Sequence, residues 1–156
     1  LDADDDGWPD LYVINELGLN ALLRNEHNGT FSEQHVGPDP DGFAMGVSAG
    51  DVDGDGRIDL YVGNMFSKAG LRIISNIPGE SYPRSLTEKM NGFVAGNLLL
   101  LNRTQTKPQF DPLPNSSVSG VGWAYGTAMV DLDGDGLLDL YGTAGFASFS
   151  RKEPDG

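Results

Sequence analysis

Three stretches of the chain carry one arrangement of carboxylates: "DADDDGWPDLY" at residues 2–12, "DVDGDGRIDLY" at 51–61 and "DLDGDGLLDLY" at 131–141. All fit D-x-D-x-D-G-x-x-D-L-Y. Carboxylates about 4 Å apart repel by about 1 kcal/mol even in water, so the pattern calls for a cation. Aspartate offers only hard oxygen donors, and oxygens at alternate positions suit Ca²⁺, which takes roughly six to eight of them. In such a loop the side chains at positions one, three and five point inward: Asp2, Asp4 and Asp6; Asp51, Asp53 and Asp55; Asp131, Asp133 and Asp135. Gly7, Gly56 and Gly136 allow the sharp turn at position six. The backbone carbonyls of Trp8, Arg57 and Leu137 can each add an oxygen, and Asp10, Asp59 and Asp139 close the sites. The expectation is up to three bound Ca²⁺.

Rival readings fit less well. An EF-hand needs Glu at position twelve, where this chain has Val13, Val62 or Gly142. Magnesium keeps its waters and rarely takes so many carboxylates. Zinc prefers Cys and His, and the chain has no Cys and only His27 and His35. Bare Asp-Gly turns between strands are common, but a threefold repeat of the whole pattern weighs against that reading.

The bulk numbers bound the rest. A chain of 156 residues can bury a real core. Its net charge of −13 opposes phosphate backbones, so nucleic acid is not an expected partner. A 38% hydrophobic content argues for a packed fold rather than disorder. The 22 Gly and 9 Pro favour short strands and many turns. Without Cys there are no disulfides, thiolate sites or cysteine nucleophiles. No apolar run approaches the roughly 20 residues of a membrane span, so no membrane insertion is expected. The chain opens on Leu1, directly ahead of an acidic cluster, and reads as a piece of something longer.

The loops need strands to position them. "FAMGVSAGD" (43–51) and "WAYGTAMVD" (123–131) each lead from an aromatic, through Gly46 or Gly126, into the first Asp. Glycine inside a strand suggests close backbone approach. After the loops, "DLYVIN" alternates, with Leu11 and Val13 on one face and Tyr12 and Ile14 on the other. "ALLRN" and "LLLLN" follow, and then segments near Phe31 and Phe110. Each unit therefore reads as four strands with the acidic loop after the first. Leu98–Leu101, ended by Asn102 and preceded by Gly96, suits a buried strand better than a helix turn. Residues from about Met65 to Ala95 interrupt the second unit. Within them, Ser85 and Glu88 have capping-box spacing and Gly92 sits where a helix stops, which predicts a helix over Leu86–Asn91.

At these residues the chain resembles FG-GAP (VCBS-type) repeats of integrin-α-like β-propellers. With "NMFSKAGLRI" and "GNLLLLN" it resembles more narrowly the cartilage acidic protein group, whose members often carry an ASPIC/UnbV domain. The resemblance implies an all-β fold: part of a β-propeller made of four-stranded antiparallel blades, with Ca²⁺ held between the first and second strands of a blade. The family sites map onto the aspartates named above. The implied division is the end of a blade at 1–36, a complete blade with its insertion at 43–112, and the start of the next at 123–156. A propeller closes with about four to eight blades, so the remaining blades of the same chain are expected partners.

Function is then weighed between classes. The first reading is a calcium-stabilised, non-catalytic binding or adhesion scaffold for a protein or carbohydrate ligand, in an extracellular, cell-surface or periplasmic setting. Calcium sites of extracellular modules bind at roughly 10⁻⁴–10⁻³ M and stay empty in a low-calcium cytosol, which argues for an outside location. The second is the propeller part of a secreted polysaccharide- or lipid-processing enzyme, and the third a spacer. No base and electrophile converge in the sequence: His27 lies in a turn, His35 follows a strand, and the aspartates are committed to metal. No catalytic residue is therefore assigned. Asn28, Asn102 and Asn115 fit the glycosylation pattern, and Trp123 and Tyr125 read first as packing residues.

Overall fold

A computed structural model describes residues 1–16, 18–36, 44–65, 68–78, 82–104, 106–113 and 117–145. Phe43, Asn115 and the terminal "SRKEPDG" lie outside the described residues. The architecture is all-β with antiparallel sheets, and two helices sit in the insertion.

The first sheet orders β1 (Leu11–Val13), β2 (Ala21–Asn25) and β3 (Phe31–Gln34) as β1-β2-β3. The second contains β4 (Ala44–Gly50), β5 (Asp59–Asn64), β6 (Leu98–Asn102) and β7 (Phe110–Pro112), paired in that order. The third pairs β8 (Ala124–Val130) with β9 (Asp139–Ala144). Each acidic loop precedes a strand opening on Leu-Tyr or Asp-Leu-Tyr, and the second and third connect paired strands directly: Gly50 faces Asp59 and Val130 faces Asp139. Both β4 and β8 carry one register shift, after Ala44 and after Ala124. The repeat thus extends to backbone irregularities.

The period-2 alternation of strands explains the core. Leu60 and Val62 of β5, with Leu100 and Phe110, face the first sheet, where Tyr12, Ile14 and Leu1 pack against them. Tyr12 meets the Phe110 ring edge-on at 6.0 Å between centroids. Tyr61, Leu99 and Leu101 face the other way, onto Met129 and Leu140 of the third sheet. The middle sheet is covered on both faces, so every residue of β5 is buried. The flanking sheets are covered on one face, which leaves Leu11 and Val13 exposed at one side and Tyr125 and Tyr141 at the other.

Sheets two and three meet through β4 and β8. A Cβ at Gly46 would stand 2.7 Å from the Tyr125 carbonyl oxygen, closer than side chains tolerate. Glycine there is what lets the two backbones touch. The insertion returns to its starting point: the Gly96 amide donates to the Met65 carbonyl at 3.2 Å. Asn97 clamps this base, its Oδ1 accepting the Asn64 amide at 2.9 Å while its Nδ2 donates to Tyr61 Oη at 2.7 Å.

The insertion differs from the sequence expectation. It holds α1 (Lys68–Ser75), which the sequence analysis does not anticipate, and α2 spans Arg84–Phe93 rather than Leu86–Asn91. Pro83 stands at the N-cap with no side-chain cap bond. Ser85 lies inside the helix, so the Ser85–Glu88 capping box does not form; Glu88 instead accepts from Arg84 Nε at 2.8 Å. Gly92 continues the helix, and Val94 caps it.

Candidate metal centre

Each acidic loop is folded by its own carboxylates. At position one both oxygens accept backbone amides one turn ahead: Asp2 takes Asp6 and Gly7 at 3.2 and 2.9 Å, and Asp51 takes Asp55 and Gly56 at 3.0 and 2.8 Å. Asp131 repeats this with Asp135 and Gly136 at 3.2 and 2.9 Å. At position five, Asp6, Asp55 and Asp135 accept the amides of Trp8, Arg57 and Leu137. Position four needs a left-handed backbone in all three loops: Gly54 has φ 73, Gly134 has φ 80, and Asp5 has φ 57. Position six is left-handed too, at Gly7, Gly56 and Gly136, as the sequence required.

Position nine ties loop to sheet. Asp10 accepts the Ala3 amide at 3.0 Å and the Asn25 amide of β2 at 2.8 Å. Asp59 accepts Val52 at 3.0 Å and Asn102 of β6 at 2.8 Å. Asp139 accepts Leu132 at 3.0 Å. The Asn ending each "LLxN" run is therefore the loop's anchor in the neighbouring strand. Sequence reasoning noticed these asparagines but gave them no such role; the available signal was that each closes a Leu-Leu run downstream of an acidic loop, although the insertion stretches the separation from position nine from 15 residues to 43. Asp59 is fully buried, and burial first of all raises its pKa above the ordinary value, partly offset by the Asn102 and Val52 amides.

Oxygens of Asp2, Asp4 and Asp6 lie within 4.8 Å of one another, as do those of Asp51, Asp53 and Asp59 and those of Asp131, Asp133 and Asp139. Asp10, Asp55 and Asp135 are not in these triads. The first triad carries a mark of fit to a hard cation. Asp4 is buried, and its Oδ1 has no hydrogen-bond partner. A buried carboxylate oxygen left without a donor is costly, and an oxygen-seeking ion would satisfy it.

The three loops differ in their counter-charges. In the first, Arg24 Nε donates to Asp4 Oδ2 at 2.6 Å, Arg24 Nη2 to Asp6 Oδ2 at 3.0 Å, and His27 Nε2 lies 2.7 Å from that same Asp6 oxygen. His27 also stacks on Trp8 at 5.0 Å. Burial pushes the Asp6 carboxyl up, but the Trp8 amide, His27 and Arg24 together hold it below its ordinary pKa. Asp4 keeps the Arg24 guanidinium more firmly protonated than usual. In the second loop Arg57 pairs with Asp55 and donates to the Asn102 carbonyl at 2.7 Å, while Arg103 stays 3.9 Å from Asp53. Among the described residues no ion pair reaches the third loop. Neither Arg24 nor His27 was foreseen as a loop partner, because strand β2 brings Arg24 to the loop only through tertiary pairing.

Residues 2–62 match the model of the FG-GAP-like repeat. The chain is similar to cartilage acidic protein 1 of Mus musculus, 25% identical over 166 residues, covering 84% of this chain and 26% of that protein. It is equally similar to cartilage acidic protein 1 of Homo sapiens, 25% identical over 167 residues, covering 84% and 25%. It thus spans about a quarter of the length of the curated relatives it matches. No solved structure matches it. The first two acidic loops and the strands between them therefore lie in an FG-GAP-like repeat region, within a chain similar to cartilage acidic protein 1.

Proposed function

We propose that this chain is a calcium-binding FG-GAP section of an extracellular β-propeller, serving as a non-catalytic binding or adhesion scaffold. The observation that carries it is the threefold acidic loop, with one triad of oxygens gathered in each copy and the orphaned Asp4 Oδ1 in the first. Asp2, Asp4 and Asp6, then Asp51, Asp53 and Asp59, then Asp131, Asp133 and Asp139 would hold the ions, with the carbonyls of Trp8, Arg57 and Leu137 as further donors. The ion would bind hard oxygens and neutralise charge; no reaction step is assigned to it. The sheets would be successive blades, and further blades would cover Leu11 and Val13 on one side and Tyr125 and Tyr141 on the other. The similarity to cartilage acidic protein 1 and the low affinity expected of extracellular calcium modules support an outside location. No helix among the described residues is long and apolar enough to cross a membrane.

Thermal unfolding with and without EDTA tests the reading. Each filled site at about 100-fold excess over its Kd stabilises by about 2.7 kcal/mol, so the melting temperature should rise clearly with Ca²⁺. An unchanged melting temperature, with no calorimetric Ca²⁺ uptake, would sink it.

A further inference from the structure

A cleft of about 570 Å³ is shared by residues of the first sheet and the β6–β7 turn, inside the roughly 300–1,000 Å³ range of small-ligand sites. Arg24 and Gln34 line it from the first sheet, with His35 just beyond β3; Lys107, Pro108 and Gln109 line it from the turn. Among the described residues no acidic side chain lines it, in a chain of net charge −13. Lys107 is exposed and enters no ion pair among the described residues. His35 Nε2 lies 3.8 Å from Glu33 Oε1.

Arg24 belongs to two places at once. Arg24 lines the cleft, and its side chain holds Asp4 and Asp6, two of the three carboxylates of the first triad, with Glu26 a further 3.8 Å from its guanidinium. We propose that the cleft holds a hydroxylated carboxylate of sugar-acid size, and that calcium entering the first loop delivers Arg24 to it. This rests on the calcium reading above. The ion would take the free Oδ1 of Asp4 while Arg24 holds Oδ2, and the repulsion between a divalent ion and a guanidinium on the same carboxylates would loosen Arg24 from Asp4 and Asp6. The freed guanidinium joins Lys107 and His35 as an anion-binding group, and the bound ion cancels the acids that would otherwise repel the ligand. Guanidinium pairs with a carboxylate in bidentate geometry, and the two Gln amides suit hydroxyl groups. Linkage makes the effect reciprocal: the anion favours calcium in the first loop as much as calcium favours the anion.

Glucuronate titrated into the intact protein by calorimetry, in saturating Ca²⁺ and in EDTA, tests this, with glucose and sulfate as controls. Loading of the first loop is read separately, without glucuronate, from Trp8 fluorescence in a Trp123→Phe background. Glucuronate should bind about tenfold more tightly with Ca²⁺, within the usual range of coupling, and glucose should not bind. Exposed Lys107→Gln should lower glucuronate affinity about tenfold, in line with losing one charge-assisted contact, without changing the Trp8 signal. Arg24→Gln should bind Ca²⁺ more tightly at the first loop and abolish the calcium-dependent gain for glucuronate. Equal glucuronate affinity in Ca²⁺ and EDTA, no binding to a first loop shown to be loaded, or sulfate binding as tightly as glucuronate would each overturn the proposal. A silent Trp8 signal during Ca²⁺ titration would instead count against the calcium reading of that loop.

Discussion

The buried carboxylate of Asp59 accepts the backbone amide of Asn102, 43 residues further along the chain, at 2.8 Å. Its second oxygen takes the Val52 amide at 3.0 Å. One side chain thus fastens the acidic loop, the strand it opens and the strand beyond. Asp59→Ala would leave two amides without their acceptor, at about 1–3 kcal/mol each where burial keeps water out. Asp139→Ala, at an exposed position holding one recorded amide, should cost about 1 kcal/mol. Urea unfolding in EDTA checks the ranking; equal losses would mean that the amide links are not what matters.

Asp59 also sets a pH dependence. Burial raises its pKa in the folded protein above the ordinary 3.8. The folded state therefore holds the proton more tightly than the unfolded chain. This group's contribution to stability is fully present below the ordinary value and is lost as pH rises through the raised folded value. On the proposed calcium reading the ion would bind the charged form, so a Ca²⁺-induced gain in melting temperature should grow as pH rises above the ordinary carboxylate value. A gain that does not change as pH rises above the ordinary 3.8 would contradict it.

Gly46→Ala should be among the most damaging small substitutions. The added methyl meets the Tyr125 carbonyl oxygen at 2.7 Å, a backbone atom that cannot rotate away. Overpacking of this kind costs about 1–3 kcal/mol, and chemical denaturation would read it directly. Gly120→Ala, where a Cβ meets nothing within 4 Å, is the matched control.

Asp5→Gly should stabilise. Position four is left-handed in every loop, and only the first copy fills it with a side-chain residue. The left-handed conformation costs an L-residue roughly 1–2 kcal/mol, less for Asp, so a gain of about 0.5–1 kcal/mol is expected. A lower melting temperature would show that Asp5 has a contact outweighing its backbone.

Replacing residues 66–95 with two glycines should leave the sheets folded. Met65 and Gly96 are already hydrogen-bonded, and Asn97 fixes the base. Loop excursions of this kind are tolerated when the backbone at their ends is held. Loss of the near-UV circular dichroism of the sheets would refute it.

The strands were legible in the sequence because a half-buried strand must alternate and an acidic loop needs glycine at a fixed place. Leu98–Leu101 and the Tyr12/Ile14 face follow from that alone. Helix α1 was hard to read: "KAGLRIIS" carries a glycine, the preceding Ser67 is an isolated cap signal with no acid three residues on, and α1 lies against α2, a contact no local pattern reveals. Burial was not legible either. Asp-Leu-Tyr occurs three times, yet Tyr61 is buried and Tyr141 is exposed, because the difference lies in which sheets stand alongside. Arg24 was missed for the same reason, since its partners lie 18 and 20 residues earlier in the chain.

The amide bonds inside the loops have a kinetic consequence. Because Asp2, Asp51 and Asp131 each already hold the turn that follows them, the backbone does not have to fold around an incoming ion. Its ordering entropy is spent before the encounter. If the third loop takes an ion as proposed, no ion pair among the described residues has to break there, and the speed of capture would be set by how quickly the ion sheds its water. In the first loop capture would also wait on Arg24 yielding its hold on Asp4 and Asp6, so two copies of one motif would respond to the same pulse of calcium at different rates.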